Sequence, residues 1–381
     1  MKRKLTAAFL TGLISMAFSF NQAFACTTFC LKNKGEVLFG KNYDWMVGEG
    51  LVFVNKRGVA KTSLEDANPA KWTSKYGSVT FNQYGRENPS GGMNEAGLVI
   101  ELMWLDGTQY PKPDTRPAVD VLEWIQYQLD SSASVDEVVA NSEKVRISSL
   151  VQLHYLVNDR AGNSATIEFL DGKLVAHRGS SLPVSTLTND TYAKSLEYSK
   201  ATPVNNATGG GSLQRFARAA HKTGEFEKQE KSGQAAVDYA FEILSNVAQP
   251  GYTQWSIVYD QKRAKIHFRT LRAQQVKTID ARAFDYSCGS MVKFYDMNAN
   301  DLGDVNGRFK DYSAQANRDL IERAFNGTDF LKFVPATVRD QLAAYPENFA
   351  CSPPNQPSRP AVSSGRQSFW VMAEIVIGLL T

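Results

Sequence analysis

The hydrophobic pattern opens with Leu5 to Phe20, an apolar stretch without an acidic or basic side chain, preceded by Lys2, Arg3 and Lys4. A basic start, an apolar core and small residues at Ala23 and Ala25 make this an export leader, cut before Cys26, and not an element of the fold. Beyond it, Cys26-Thr27-Thr28-Phe29-Cys30-Leu31 is β-branched and aromatic, and a turn at Gly35 leads into Val37 to Trp45 as a hairpin partner. Further runs at Gly97–Met103, Val151–Val157, Ala165–Leu170, Trp255–Tyr259 and Ala264–Thr270 predict strands. Helical spacing of apolar residues predicts helices over Ala118–Leu129, Leu213–His221, Ala235–Val247, Ala314–Phe325 and Phe330–Leu342. Hairpin-like strand pairs without a repeating βαβ unit, and helices long enough to cover a sheet, give an α+β layered fold.

Three segments follow from this pattern: a leader over residues 1–25, one large body over 26–350, and a tail over 351–381. The tail is rich in Pro and Ser from Ser352 to Gly365 and ends in the apolar run Phe369 to Leu380, interrupted by Glu374. That run is short for a bilayer span and reads as a linker followed by a docked strand or helix, with no stable membrane anchor expected.

Charge narrows the partners. The formal balance of +3 comes from the leader, and the 356 residues after it hold 39 basic and 39 acidic side chains. A near-neutral chain without a basic stripe is not built to hold nucleic acid or an anionic membrane surface. At 43% hydrophobic the chain can bury a large core. Its four cysteines, Cys26, Cys30, Cys288 and Cys351, allow at most one bridge that leaves Cys26 free, with Cys288 and Cys351 as a candidate pair. Cys30 shares a strand face with Cys26 but lies beyond disulfide reach, and reads as a small buried hydrophobe.

Leader removal would make Cys26 the first residue, with a thiol and a free α-amine together. A thiol with a pKa of about 8.5 is mostly protonated at neutral pH, and an α-amine of pKa about 7.7 to 8.0 is poised to take its proton. The competing outcome is lipidation of Cys26, which would consume the thiol; the bulky Phe24 and the lack of a leucine-like residue at Ala23 argue against it. The four histidines, His154, His177, His221 and His267, are scattered and lack metal-ligand companions, so no metal or organic cofactor is expected. Gly209-Gly210-Gly211 fits no phosphate-binding loop and reads as a flexible connection.

Five segments then stand in order: Cys26-Thr27-Thr28-Phe29, Gly40-Lys41-Asn42-Tyr43-Asp44-Trp45, Gly92-Met93-Asn94-Glu95-Ala96-Gly97-Leu98, Leu187-Thr188-Asn189, and Arg215-Phe216. Together they resemble the choloylglycine hydrolase and penicillin V acylase family, N-terminal-nucleophile hydrolases that split linear amide bonds. The resemblance runs from Cys26 to about Thr278. It implies a four-layer αββα sandwich, with Cys26 as nucleophile, Asp44 holding the amine or thiol, Asn189 as an oxyanion donor and Arg215 beside the site.

Each of these positions has a plainer alternative: a strand-end aspartate for Asp44, a turn for Asn189-Asp190, a solvated helix face for Arg215. Two positions depart from the family pattern. Lys41 stands where many relatives have arginine, keeping the charge without the bidentate fork. Trp104, within Leu102-Met103-Trp104-Leu105, replaces an asparagine of bile-salt-cleaving relatives. Trp45 and Trp104 could line an apolar acyl pocket, or belong to the core.

The resulting expectation is a periplasmic or secreted acylase for a small-molecule amide, most like penicillin V acylase or an N-acyl homoserine lactone acylase. Conjugated bile salt hydrolysis and a lipid-anchored ligand-binding protein are the alternatives. The resemblance also allows a homotetramer.

Overall fold

The structure, a computed structural model, describes residues 26–352 except Lys34 and Asp66. The expected leader and almost all of the expected tail lie outside the described residues.

Two antiparallel sheets stack face to face. The first has seven strands, in the order Thr186–Leu187, Thr27–Asn33, Glu36–Asp44, Thr253–Asp260, Lys265–Thr270, Lys277–Asp280 and Gly303–Asp304, with a parallel pair only at the last edge. The second has nine, centred on Ser78–Asn82, Pro89–Asn94, Val99–Trp104 and Leu153–Asn158. Phe81 of the second sheet meets Tyr259 and Phe268 of the first edge-on, at 6.0 and 5.5 Å between ring centroids, so one apolar core fills the gap.

Helices cover both outer faces. Helix Val121–Ser131 stacks Trp124 on Tyr155 at 4.3 Å, and helices Ser212–Phe226 and Gln234–Asn246 pack Ala219, Phe226, Ala240 and Leu244 on Phe29, Leu31, Leu38 and Val258. The result is the αββα sandwich of the N-terminal-nucleophile hydrolases.

The period of two along the first hairpin decides what faces where. Thr27, Phe29 and Leu31 turn to the helix layer, whereas Cys26, Thr28 and Cys30 turn to the space between the sheets. Register pairs Thr27 with Asn42 and Thr28 with Lys41, which brings the partner strand's Lys41, Tyr43 and Asp44 to the end of the hairpin where Cys26 lies. Cys26 and Cys30 are both free and buried.

The sequence-based elements differ from the structure in instructive places. The helix expected over Ala118–Leu129 starts only at Val121. Asp120 caps it in a box with Glu123, and Ala118–Val119 instead pair with Arg146–Ile147. The helix expected over Phe330–Leu342 forms over Ala336–Ala344, because Pro335 sets its start. Strand Pro89–Asn94 carries little strand propensity and is held by neighbours on both sides; a Cβ at Gly91 would stand 2.2 Å from the Glu101 carboxyl carbon, so glycine here makes room for a buried acid.

Cys288 and Cys351 form the disulfide, and strand Ala350–Cys351 pairs with Val59 and Ala60, so Cys351 is tied to the body and not to a separate tail. Among the described residues no helix is long and apolar enough to cross a membrane.

Candidate active site

Cys26 is buried at the end of the first strand, its Sγ 4.0 Å from the Asp44 carbonyl oxygen. Burial pushes the thiol above its usual range. The positive charges of Lys41 and Arg215 pull the other way, and the Asp44 carboxylate adds to the rise. A thiol so placed needs a base to become a nucleophile.

Asp44 is buried as well, and burial raises its carboxyl to about 6 against the opposing pull of Arg215, Thr253 and Lys41. The Thr253 hydroxyl donates to Oδ1, while Oδ2 is buried with no hydrogen-bond partner. One acceptor lobe is thus left over beside the thiol, where an orphaned oxygen is costly.

Arg215 is not on a solvated helix face but fully buried, and its fork organises the site. Nη1 donates to the Cys26 carbonyl oxygen and to Thr27 Oγ1, both at 2.6 Å. Nη2 donates to Asn189 Oδ1 at 2.9 Å, and Nε to the Gly210 carbonyl at 3.0 Å. The Gly209-Gly210-Gly211 loop therefore contributes a carbonyl, and Gly211 caps the helix that carries Arg215.

The guanidinium can only donate, so the Asn189 amide must turn its oxygen toward it and its nitrogen away. Asn189 Nδ2 then reaches the Trp104 carbonyl at 2.9 Å, using one of two protons, and Asn189 N donates to Ser212 Oγ at 2.9 Å.

Lys41 projects between the sheets and is fully buried. Its Nζ donates to the Leu102 carbonyl and stands 3.8 Å from Glu101 Oε2. Glu101 is raised to about 7 by burial, against the pull of Lys41 and of the Tyr259 hydroxyl that donates to it. Lys41 thus places a held positive charge on the Cys26 side of the core.

The two tryptophans are half-buried. Trp45 donates from Nε1 to the Tyr84 hydroxyl at 2.7 Å and meets Phe330 edge-on at 6.2 Å. Trp104 donates from Nε1 to Asp106 Oδ1 at 2.6 Å, and its carbonyl holds Asn189.

All five residues expected to carry chemistry converge on the open end of the hairpin. Sequence reading missed Thr27, Glu101, Ser212, Thr253 and Phe330. For Glu101 a signal existed: it is the single charged residue inside the apolar run Gly97–Met103. Among the described residues no group of three or more metal-ligating side chains is present, and no histidine is among the groups acting on the Cys26 thiol.

The chain belongs to the linear amide C–N hydrolases of the choloylglycine hydrolase family, whose profile matches residues 26–294. Among its relatives is the penicillin V acylase of Pectobacterium atrosepticum, 25% identical over 370 residues, covering 81% of this chain and 96% of that protein. The solved penicillin V acylase of Agrobacterium tumefaciens superposes with a TM-score of 0.68 at 30% identity, over 76% of this chain and 98% of that one. A variant of the conjugated bile acid hydrolase of Clostridium perfringens shares the fold at 20% identity, with a TM-score of 0.60 over 71% and 97%.

Proposed function

We propose that this chain is an exported cysteine acylase that begins at Cys26 after leader removal and cleaves an amide between an apolar acyl group and a polar amine. Penicillin V and N-acyl homoserine lactones are the favoured substrates. The observation that carries the reading is the Arg215 fork, which binds the Cys26 carbonyl and the Asn189 oxygen at once and so ties nucleophile and oxyanion donor into one rigid unit.

In this mechanism the Cys26 α-amine takes the thiol proton, and the unpartnered Asp44 Oδ2 is the acceptor available to hold that amine. Sγ attacks the amide carbon, and the oxyanion is met by the second Asn189 Nδ2 proton, the one not given to Trp104. The amine returns the proton to the leaving nitrogen, a thioester remains on Sγ, and water hydrolyses it to the acid and the free thiol. Lys41 and Arg215 favour the thiolate by charge. Trp45, with Tyr84 and Phe330 behind it, gives an aromatic wall suited to a phenoxy or long acyl group. Similarity to a bile acid hydrolase at 20% identity is similarity of fold and brings no bile-salt assignment.

The test is a panel of phenoxyacetyl, long-chain acyl homoserine lactone and bile-acid amides offered to the purified mature protein and to Cys26→Ser. Turnover of one of the first two by wild type, lost in Cys26→Ser, is the expected result. No turnover of any amide, or turnover surviving in Cys26→Ser, would sink the reading.

A further inference from the structure

Behind Asn189 lies a second buried polar group that the reaction scheme above does not use. His154 sits on strand Leu153–Asn158 of the nine-stranded sheet, with no exposed surface, and its Nε2 lies 2.7 Å from the carbonyl oxygen of Thr188. Thr188 follows the edge strand Thr186–Leu187 of the other sheet and directly precedes Asn189. His154 therefore ties the two sheets together one residue before the proposed oxyanion donor.

A carbonyl only accepts, so Nε2 carries a proton and donates it to Thr188. The other nitrogen, Nδ1, faces Glu168 Oε1 at 3.2 Å; Glu168 is fully buried and lies on the neighbouring strand Ser164–Leu170. The same Oε1 accepts the backbone N–H of Tyr192 at 2.9 Å, at the first turn of helix Tyr192–Ala201, which begins just after Asn189. Glu168 Oε2 has no hydrogen-bond partner and stands 3.6 Å from His177 Nε2.

The two residues hold both flanks of the Asn189 turn, His154 through the carbonyl before it and Glu168 through the amide after it. Ser212 holds the same turn from the helix layer, where Thr188 Oγ1 lies 3.1 Å from its carbonyl and Asn189 N donates to its hydroxyl.

We propose that His154, oriented by Glu168, is a positioning residue for the oxyanion donor: its Nε2–H fixes the Thr188 carbonyl and thereby the direction of the Asn189 amide. The alternative is a buried pair that only satisfies itself within the core. The two differ in what they predict for catalysis at constant folding. A donor displaced by an ångström costs transition-state stabilisation while leaving ground-state binding and the thiol alone. The inference rests on the acylase reading, which wild-type turnover tests separately.

The experiment compares His154→Gln, His154→Asn and His154→Leu in the full mature protein, on whichever amide wild type turns over. A glutamine amide nitrogen reaches the position of Nε2, an asparagine amide does not, and leucine has no donor. The readouts are kcat and KM, the thermal midpoint, and the rate at which iodoacetamide alkylates Cys26. The expected result is that His154→Gln keeps most of the wild-type kcat, while His154→Asn loses on the order of 10- to 100-fold. KM and Cys26 alkylation should stay near wild type in both, and His154→Leu should follow His154→Asn where it folds. Equal kcat in the glutamine and asparagine variants would overturn the proposal, as would a loss that appears in KM or in the alkylation rate instead. If wild type turns over no amide, the acylase reading fails and the inference falls with it.

Discussion

Replacing Arg215 with lysine keeps the positive charge and removes the fork, which separates the two things this side chain does. The guanidinium serves four acceptors: the Cys26 and Gly210 carbonyls, Thr27 Oγ1 and Asn189 Oδ1. A shorter point-charge ammonium cannot span them, so two or three buried acceptors lose their donor. Each charge-assisted bond is worth about 1.5–3 kcal/mol, and breaking one side of a buried charged network typically costs about 3–5 kcal/mol. Arg215→Lys should therefore unfold at a clearly lower denaturant midpoint. Its second effect is on rate. Nothing then forces the Asn189 oxygen away from the reaction, and a lost oxyanion donor costs on the order of 100-fold in kcat. The assay pairs urea unfolding with steady-state kinetics at a temperature where the variant is folded, so that the rate loss is read on native protein. A folded Arg215→Lys enzyme with wild-type kcat would refute the argument that the fork, and not the charge, aligns the site.

Three further perturbations probe other parts of the molecule. Phe330→Ala removes the edge-on partner of Trp45 and should raise KM for a phenoxyacetyl amide several-fold with kcat little changed; unchanged KM would remove the aromatic wall from the account. Converting Cys288 and Cys351 to serine opens a loop of 63 residues and should cost about 4 kcal/mol of stability while turnover at 25 °C persists, as melting and kinetics together would show. The buried carboxylates Glu65, Glu101 and Glu123 are each raised to about 7 by burial. The folded chain therefore holds protons between about pH 4.5 and 7 that the unfolded chain has released, so their contribution is full below about pH 4.5 and is lost as pH rises through about 7. Glu123 alone accounts for roughly 3 kcal/mol across that window, so the thermal midpoint should fall from pH 5 to 8 and fall less in Glu123→Gln. A midpoint that climbs over this range would count against these burial effects.

The hairpin that carries Cys26 was legible in the sequence because its side chains obey a strict period of two. Cys26, Thr28 and Cys30 on one face, and Thr27, Phe29 and Leu31 on the other, follow from β-branched and aromatic residues around a glycine turn. The long helices were readable for a similar reason, each having a continuous apolar stripe. Helix Tyr192–Ala201 was not, since only Tyr192 and Ser195 are buried and its apolar residues are interspersed with lysines, serines and a glutamate without forming a continuous stripe. Strand Pro89–Asn94 was missed because its backbone is extended by its neighbours, and its two glycines make room for close neighbours, Gly91 for Glu101 and Gly92 for the adjacent strand at Val79 and Thr80. The polar bridges between the sheets, Lys41 to Leu102, Tyr259 to Glu101, Asn189 to Trp104 and His154 to Thr188, depend on which strands face one another. Such pairings are set by tertiary stacking and leave no periodic trace. What the chain does display is a lone charged or imidazole side chain within an apolar strand, as at Glu101, His154 and Glu168. Burial of such a group requires a partner, and here each partner lies across a strand or a sheet.

The most direct test of the account is the mass of the purified mature protein quenched during turnover of a phenoxyacetyl amide. It should begin at Cys26 with an unblocked amine, and carry the acyl group on that residue as a thioester that hydroxylamine releases. A chain that starts elsewhere, a capped or lipid-bearing Cys26, or an acyl group found on a different side chain would contradict it.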